Sequence, residues 1–148
     1  METANTKPFI ILMADDDDDD YLLTGKALDE SRLLNQLLRV RDGEELLDYL
    51  HRRGDYTADN APRPGVILLD LNMPRKDGRE ALREIKLDPE LRNIPVVVFT
   101  TSKAEEDIYK TYQLGANSFI TKPVTFDNLT NVMRKLGDYW FEIVELPK

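Results

Sequence analysis

Asp15, Asp16, Asp70, Thr100 and Lys122 are the residues of this chain best suited to do chemistry, and each stands at or near the end of a short apolar run. Three carboxylates gathered in one pocket repel one another. Either one of them takes a proton or a cation sits among them. Ligands that are all oxygen suit a hard ion, Mg²⁺ first and Mn²⁺ as the alternative. Such an ion lowers the charge barrier to an incoming phosphoryl group, whose transfer needs mainly positioning and charge neutralisation. A carboxylate can itself be the nucleophile and become an acyl phosphate. Lys122 is then expected to pair with phosphoryl oxygens and Thr100 to donate a hydrogen bond to one. Asp70 is expected to be the residue that takes the phosphoryl group.

This chemistry requires that the residues meet, and the pattern of the chain says how they can. Phe9–Ala14 reads as a buried strand, and a helix follows over Asp18–Ser31 with Leu22, Leu23 and Ala27 on its apolar face. Gln36–Arg41 alternates like a strand. Asp42 can cap the next helix, on which Leu46, Leu47 and Leu50 share a face. His51–Pro64 is polar and holds Gly54, Pro62 and Pro64, so it reads as a loop. Val66–Asp70 is apolar until its last residue. Helices are expected over Gly78–Leu87, from a Ser102 cap to about Leu114, and over Phe126–Leu136. Strands are expected over Pro95–Thr100 and Ser118–Thr121. Five strands alternating with five helices predict an α/β fold with a doubly wound, parallel, five-stranded sheet covered on both faces. Sites in such sheets form beyond the carboxyl ends of the strands. That rim would carry Asp15, Asp16, Asp70, Thr100, Thr101 and Lys122.

The run Asp15–Asp20 has a plainer reading, since a block of acids is ordinarily a solvated face. Asp17–Asp20 fit it, as a helix N-terminus that favours negative charge. Asp15 and Asp16 differ because they follow a buried strand directly. A calcium loop fits poorly: the glycine it needs is absent, and Tyr21 follows Asp20.

Composition narrows the classes further. The 148 residues fit one domain, with 41% hydrophobic and 32% charged residues, a globular balance. A net charge of −8 argues against unaided nucleic-acid binding. No apolar run is long enough to cross a bilayer, and Met1–Lys7 lacks a signal-peptide core. Cysteine is absent, so neither disulfides nor thiolate metal sites arise. A cytoplasmic location is the default expectation. The chain divides into a polar segment over 1–8, a domain over 9–137 and an apolar extension over 138–148.

Together, Ala14-Asp15-Asp16, Leu68-Leu69-Asp70-Leu71-Asn72-Met73-Pro74, Val98-Phe99-Thr100-Thr101 and Thr121-Lys122-Pro123 resemble the response-regulator receiver domain of two-component signalling. The resemblance runs from about Phe9 to Leu136, and the spacings from Asp70 to Thr100 and to Lys122 agree with it. It implies the flavodoxin-like (βα)5 fold. It implies that Asp70 accepts phosphate from a sensor histidine kinase. Asp16, Asp70 and the Asn72 backbone carbonyl would be direct metal ligands, with Asp15 acting on the ion directly or through water. The Asn72 and Ser102 side chains would tune the lifetime of the phosphate. The Lys122–Pro123 bond would be cis, and Gly78 would fit the turn opening the third helix. Phe119 holds the place of the family's switch aromatic, where many members carry Tyr; the ring is kept and the hydroxyl lost. Simple core packing is its bland alternative.

No output module follows the domain in this sequence, so a stand-alone receiver that signals by binding is expected. It would catalyse no turnover beyond its own phosphorylation and dephosphorylation. The apolar stretch Tyr139–Pro147 either folds back or offers a dimer or partner surface. With the long Arg52–Pro64 loop, it resembles small receivers associated with bacterial and cyanobacterial phytochrome kinases, a subfamily that often forms homodimers. His51, the single histidine, reads as a surface residue at a helix C-terminus. Two other readings are open. A haloacid-dehalogenase-like phosphatase would also use an aspartyl phosphate, but its nucleophile lies on the first strand in a pattern that Asp15–Asp19 meets only in its acids. A phosphorylation-independent scaffold would not need the complete set of site residues.

Overall fold

The computed structural model describes residues 10–31, 35–101 and 104–138. In chain order the elements are β1 (Ile11–Ala14), α1 (Asp18–Glu30), β2 (Leu37–Val40), α2 (Gly43–His51), β3 (Val66–Leu69), α3 (Gly78–Leu87), β4 (Val96–Thr100), α4 (Glu105–Gln113), β5 (Ser118–Thr121) and α5 (Phe126–Leu136). The strands form one parallel sheet in the order β2-β1-β3-β4-β5. This is the expected doubly wound architecture. No helix among the described residues is long and apolar enough to cross a membrane.

Apart from Thr100 at the end of β4, the central strands are apolar because both faces of the sheet are covered. Their side chains still alternate between the two sides. Leu12, Ala14, Ile67, Leu69, Val96 and Val98 point into the core built with Leu46 and Leu50 of α2 and Leu82 and Ile85 of α3. Ile11, Met13, Val66, Leu68, Val97 and Phe99 point into the core built with Ala27 and Leu28 of α1 and Leu129 and Met133 of α5. Each fully buried aliphatic side chain contributes about 1.5–3 kcal/mol against exposure, so these two layers hold the strand ends in place.

Helix starts follow the caps. Asp17, Asp42, Asp77 and Thr125 each accept a hydrogen bond from a backbone N–H in the first turn of α1, α2, α3 and α5. For α4 the expectation needs correction. Its N-cap is Ala104, with no side-chain cap, while Ser102 lies outside the described residues. Gly115, just past the end of α4, has φ 106, where a side chain would be strained. The apolar face expected on α1 is also different. Thr24, Ala27 and Leu28 are the buried residues, whereas Leu22 and Leu23 are exposed. The period was right, but the stripe that meets the sheet is rotated toward Thr24.

Two glycines hold the loop after β3 close to its neighbours. A Cβ on Gly78 would stand 2.2 Å from the Asp70 carbonyl oxygen, and one on Gly43 would stand 2.3 Å from the Lys76 carbonyl oxygen. Both N–H groups use this closeness: Gly78 donates to Leu71 and Gly43 donates to Lys76. The glycine at 78 is therefore required by close approach of backbone to backbone, not by a left-handed turn.

Candidate functional site

The order of the strands reverses between β1 and β3, and ligands of open α/β sheets sit at that reversal, outside the carboxyl ends. Asp15 and Asp16 follow β1 there, and Asp70 follows β3. One carboxylate oxygen of each lies within 4.8 Å of the others. Asp15 and Asp70 are buried, and Asp16 is exposed. The set is all oxygen, open on one side and strongly negative. It therefore fits a hard divalent cation that keeps some of its water.

The acids are not left to repel one another. Asp15 Oδ1 accepts from the Asp17 N–H at 2.9 Å, and Asp15 Oδ2 accepts from Lys122 Nζ at 2.6 Å. Burial pushes the Asp15 carboxyl above the usual carboxylate range, and these hydrogen bonds work against it without reversing the shift. Asp70 Oδ1 accepts from the Thr100 hydroxyl at 2.8 Å and from the Asn72 N–H at 3.2 Å, and Asp70 Oδ2 faces Lys122 Nζ at 3.3 Å. Thr100 is fully buried at the end of β4. Burial would lower the Lys122 pKa, but hydrogen bonds to Asp15 and Asp20 outweigh it and hold the ammonium above its usual range. The lysine is thus a fixed positive charge at any ordinary pH.

Five of the expected residues, Asp15, Asp16, Asp70, Thr100 and Lys122, meet on one rim, and the Asn72 backbone joins them. Ser102 lies outside the described residues. Phe119 is half-buried against the core on the α2–α3 side, and its N–H donates to the Tyr112 hydroxyl of α4 at 3.1 Å. The Lys122–Pro123 bond is not cis: no described peptide bond is. Proline lowers the cost of the cis form but leaves trans favoured by about 0.5–1 kcal/mol. With the trans bond, Lys122 N–H still donates to the Thr100 carbonyl at 2.7 Å and its ammonium still reaches the acids, so the geometry gives no reason for the costlier isomer.

One partner escaped the sequence reading. Asp20, grouped with the solvated helix N-terminus, holds Lys122 Nζ at 2.7 Å. The rest of the run fits that grouping better. Asp17 is the cap, and Asp18 pairs with Arg39 and Arg41, which hold its carboxyl below the usual range. The available signal was the helical register. With Asp17 at the cap, Asp20 is the third helical residue.

Comparison with known proteins agrees with this geometry. Residues 11–134 match the response regulator receiver domain. Response regulator Rcp1 of Synechocystis sp. is 40% identical over 147 residues, covering 99% of each chain. The crystal structure of the Mn²⁺-bound form of Rcp1 superposes with a TM-score of 0.86 at 41% identity, over 95% of this chain and 100% of that one. The crystal structure of the phosphorylated cyanobacterial phytochrome response regulator RcpA gives a TM-score of 0.88 at 42% identity, over 96% and 100% of the two chains.

Proposed function

The chain belongs to the response regulator receiver domain family, and from that premise we propose that Asp70 is its phosphoacceptor, loaded by the phosphohistidine of a sensor kinase. The observation that carries the proposal is the meeting of Asp70 with two further acids, a buried hydroxyl and a buried ammonium at the strand reversal.

In the transfer, an Asp70 carboxylate oxygen attacks phosphorus. The P–N bond to the donor imidazole breaks, and its electron pair leaves on the ring nitrogen. The Thr100 hydroxyl and the Asn72 N–H hold the Asp70 carboxylate in one orientation, which spares the entropy of aligning it. Lys122 supplies positive charge for the phosphoryl oxygens. Asp15, Asp16, Asp70 and the Asn72 carbonyl would hold Mg²⁺, or Mn²⁺ as in the Rcp1 structure. When bound, the ion neutralises the charge that builds on the phosphoryl group. Asn72 and Ser102 set how long the acyl phosphate lasts.

The transfer is a switch, not a turnover reaction. Drawing the Thr100 hydroxyl from the Asp70 carboxylate to a phosphoryl oxygen would vacate space for the Phe119 ring. That biases the surface made by α4, β5 and α5, a local charge event with a wider readout. Similarity to RcpA, a cyanobacterial phytochrome response regulator, supports a kinase of the phytochrome photoreceptor type as the phosphoryl donor. A homodimer is the proposed assembly of the chain. The haloacid-dehalogenase-like alternative, with its nucleophile on the first strand, finds no support in the family match across residues 11–134.

The test is direct. Acetyl phosphate with Mg²⁺ is expected to add the mass of one phosphate to the chain, and chelation of the ion or Asp70→Asn is expected to abolish the gain. Sustained release of product from generic phosphate esters would instead favour a hydrolase.

A further inference from the structure

Resting on the proposed roles of Asp70 and Lys122, we infer that Asp20 is a positioning residue: its carboxylate holds the Lys122 ammonium on the α1 side of the rim, which strengthens the site's hold on a cation and weakens its hold on a phosphoryl group.

An ammonium has three N–H donors and no acceptor. Lys122 faces three carboxylates, Asp15 at 2.6 Å, Asp20 at 2.7 Å and Asp70 at 3.3 Å. Every donor is therefore already engaged, and the weakest engagement is with the residue that takes the phosphoryl group. Asp15 and Asp70 also belong to the acid cluster that fits the cation, whereas Asp20 does not. Asp20 is thus the one carboxylate of the three that attracts the ammonium without being a ligand itself.

Opposite consequences follow for the two ligands of the site. A divalent cation competes with the ammonium for the oxygens of Asp15 and Asp70, and Asp20 draws the ammonium off them. An anionic phosphoryl group needs the ammonium turned toward Asp70, and Asp20 competes for that donor and adds a repelling charge. Two other cationic side chains near this end of α1, Arg39 and Arg41, pair with Asp18.

The local geometry allows Asp20 to let go. It lies in the first turn of α1, with a third of its side chain exposed, so the carboxylate can be rehydrated. Beside it is a cavity of about 70 Å³ lined in part by Asp20, Thr24, Phe99 and Lys122. The Thr24 hydroxyl there is buried and has no hydrogen-bond partner among the described residues. This leaves the carboxylate room to withdraw when the ammonium turns to Asp70.

The experiment titrates the full chain by calorimetry, first with Mg²⁺ and then with beryllofluoride, a phosphoryl mimic, at saturating Mg²⁺. Asp20→Asn is expected to weaken Mg²⁺ about fivefold and to tighten beryllofluoride about fivefold, the size of a partly exposed ion pair. Asp20→Glu is expected to stay close to the unaltered chain. Asp19→Asn, the same charge change at an exposed neighbour, is expected to move either affinity by less than about twofold. Damage to the fold lowers both affinities together, so opposite shifts separate positioning from structure. The inference is overturned if Asp20→Asn matches Asp19→Asn, or if both affinities fall. An unaltered chain that binds no beryllofluoride overturns the Asp70 reading, and this inference with it.

Discussion

The carboxylate pocket and the start of helix α4 share the same end of the sheet, yet they are anchored very differently. Asp15, Asp70 and Thr100 stand at the ends of β1, β3 and β4, whose residues are all buried. Helix α4 buries only Thr111, starts without a side-chain cap and exposes Tyr109 and Tyr112. Its links to the body of the domain include a two-pronged ion pair from Arg79 to Asp107, at 2.9 and 2.8 Å, and the hydrogen bond from Phe119 N–H to Tyr112. The difference separates two needs. Chemistry requires side chains held to within a fraction of an ångström, and buried strands supply that. Signalling requires an element that a small energy can move, and a helix with one buried residue supplies that.

If this division is right, damage to a wall strand spreads through the molecule while damage to the α4 links stays local. The largest effect is expected from Leu69→Ala, which empties a fully buried site next to Asp70. Denaturant unfolding is expected to show a loss of about 2–5 kcal/mol. A loss below about 1 kcal/mol would mean the walls are less rigid than described.

Next is the pH profile of the pocket without metal. Burial raises the Asp15 pKa above 3.8, so the folded chain keeps a proton that the unfolded chain releases. Stability is therefore lost as pH rises from about 3.8 through the raised value. Lys122 acts in the opposite range. Its raised pKa gives stability that is present in full below 10.5 and lost above it, as pH passes the folded value. Urea midpoints of the metal-free chain across the acid range should show the first loss, and Asp15→Asn should remove it. An Asp15→Asn profile that parallels the unaltered one would contradict the burial argument.

Smaller effects are expected at α4. Arg79→Ala should cost no more than about 1 kcal/mol globally, because the pair is partly exposed. It should nevertheless speed amide exchange across α4 and leave β3 unchanged. Exchange that rises equally in β3 and α4 would erase the distinction between the two regions. The smallest is Tyr112→Phe, worth about 0.5–1.5 kcal/mol of local hydrogen bonding. Its mark should be faster exchange at Phe119 N–H, read by NMR.

These contrasts also explain what the sequence made legible. Val66–Leu69 and Val96–Phe99 announce themselves because a strand buried on both faces must be apolar along its length, and β4 departs from this only at its last residue, Thr100. The span of α3 matched its expected bounds because Asp77, Gly78 and the spacing of Ala81, Leu82 and Ile85 all mark it. The pocket was legible for the same reason, since its members follow the strands that pattern identifies best. The exposure of Leu22 and Leu23 was not legible, because a helical period gives spacing but not which stripe meets the sheet. The pairing of Asp20 with Lys122 depends on how α1 sits over the end of β5, a tertiary fact that six identical-looking acids conceal. The isomer of Lys122–Pro123 was beyond reach too, since the sequence sets the cost of cis but not the choice. Tyr112 gave no sign of its role, because its bond is to a backbone N–H that any residue at 119 except proline would offer.

The central claim is that Asp70 carries the phosphoryl group, and chemical trapping tests it most directly. The full chain is treated with Mg²⁺ and acetyl phosphate, reduced with borohydride and sequenced by mass spectrometry. Reduction of an aspartyl phosphate leaves homoserine. The account predicts homoserine at position 70. Homoserine at another carboxylate, or at none while the chain is folded and supplied with Mg²⁺, would contradict it.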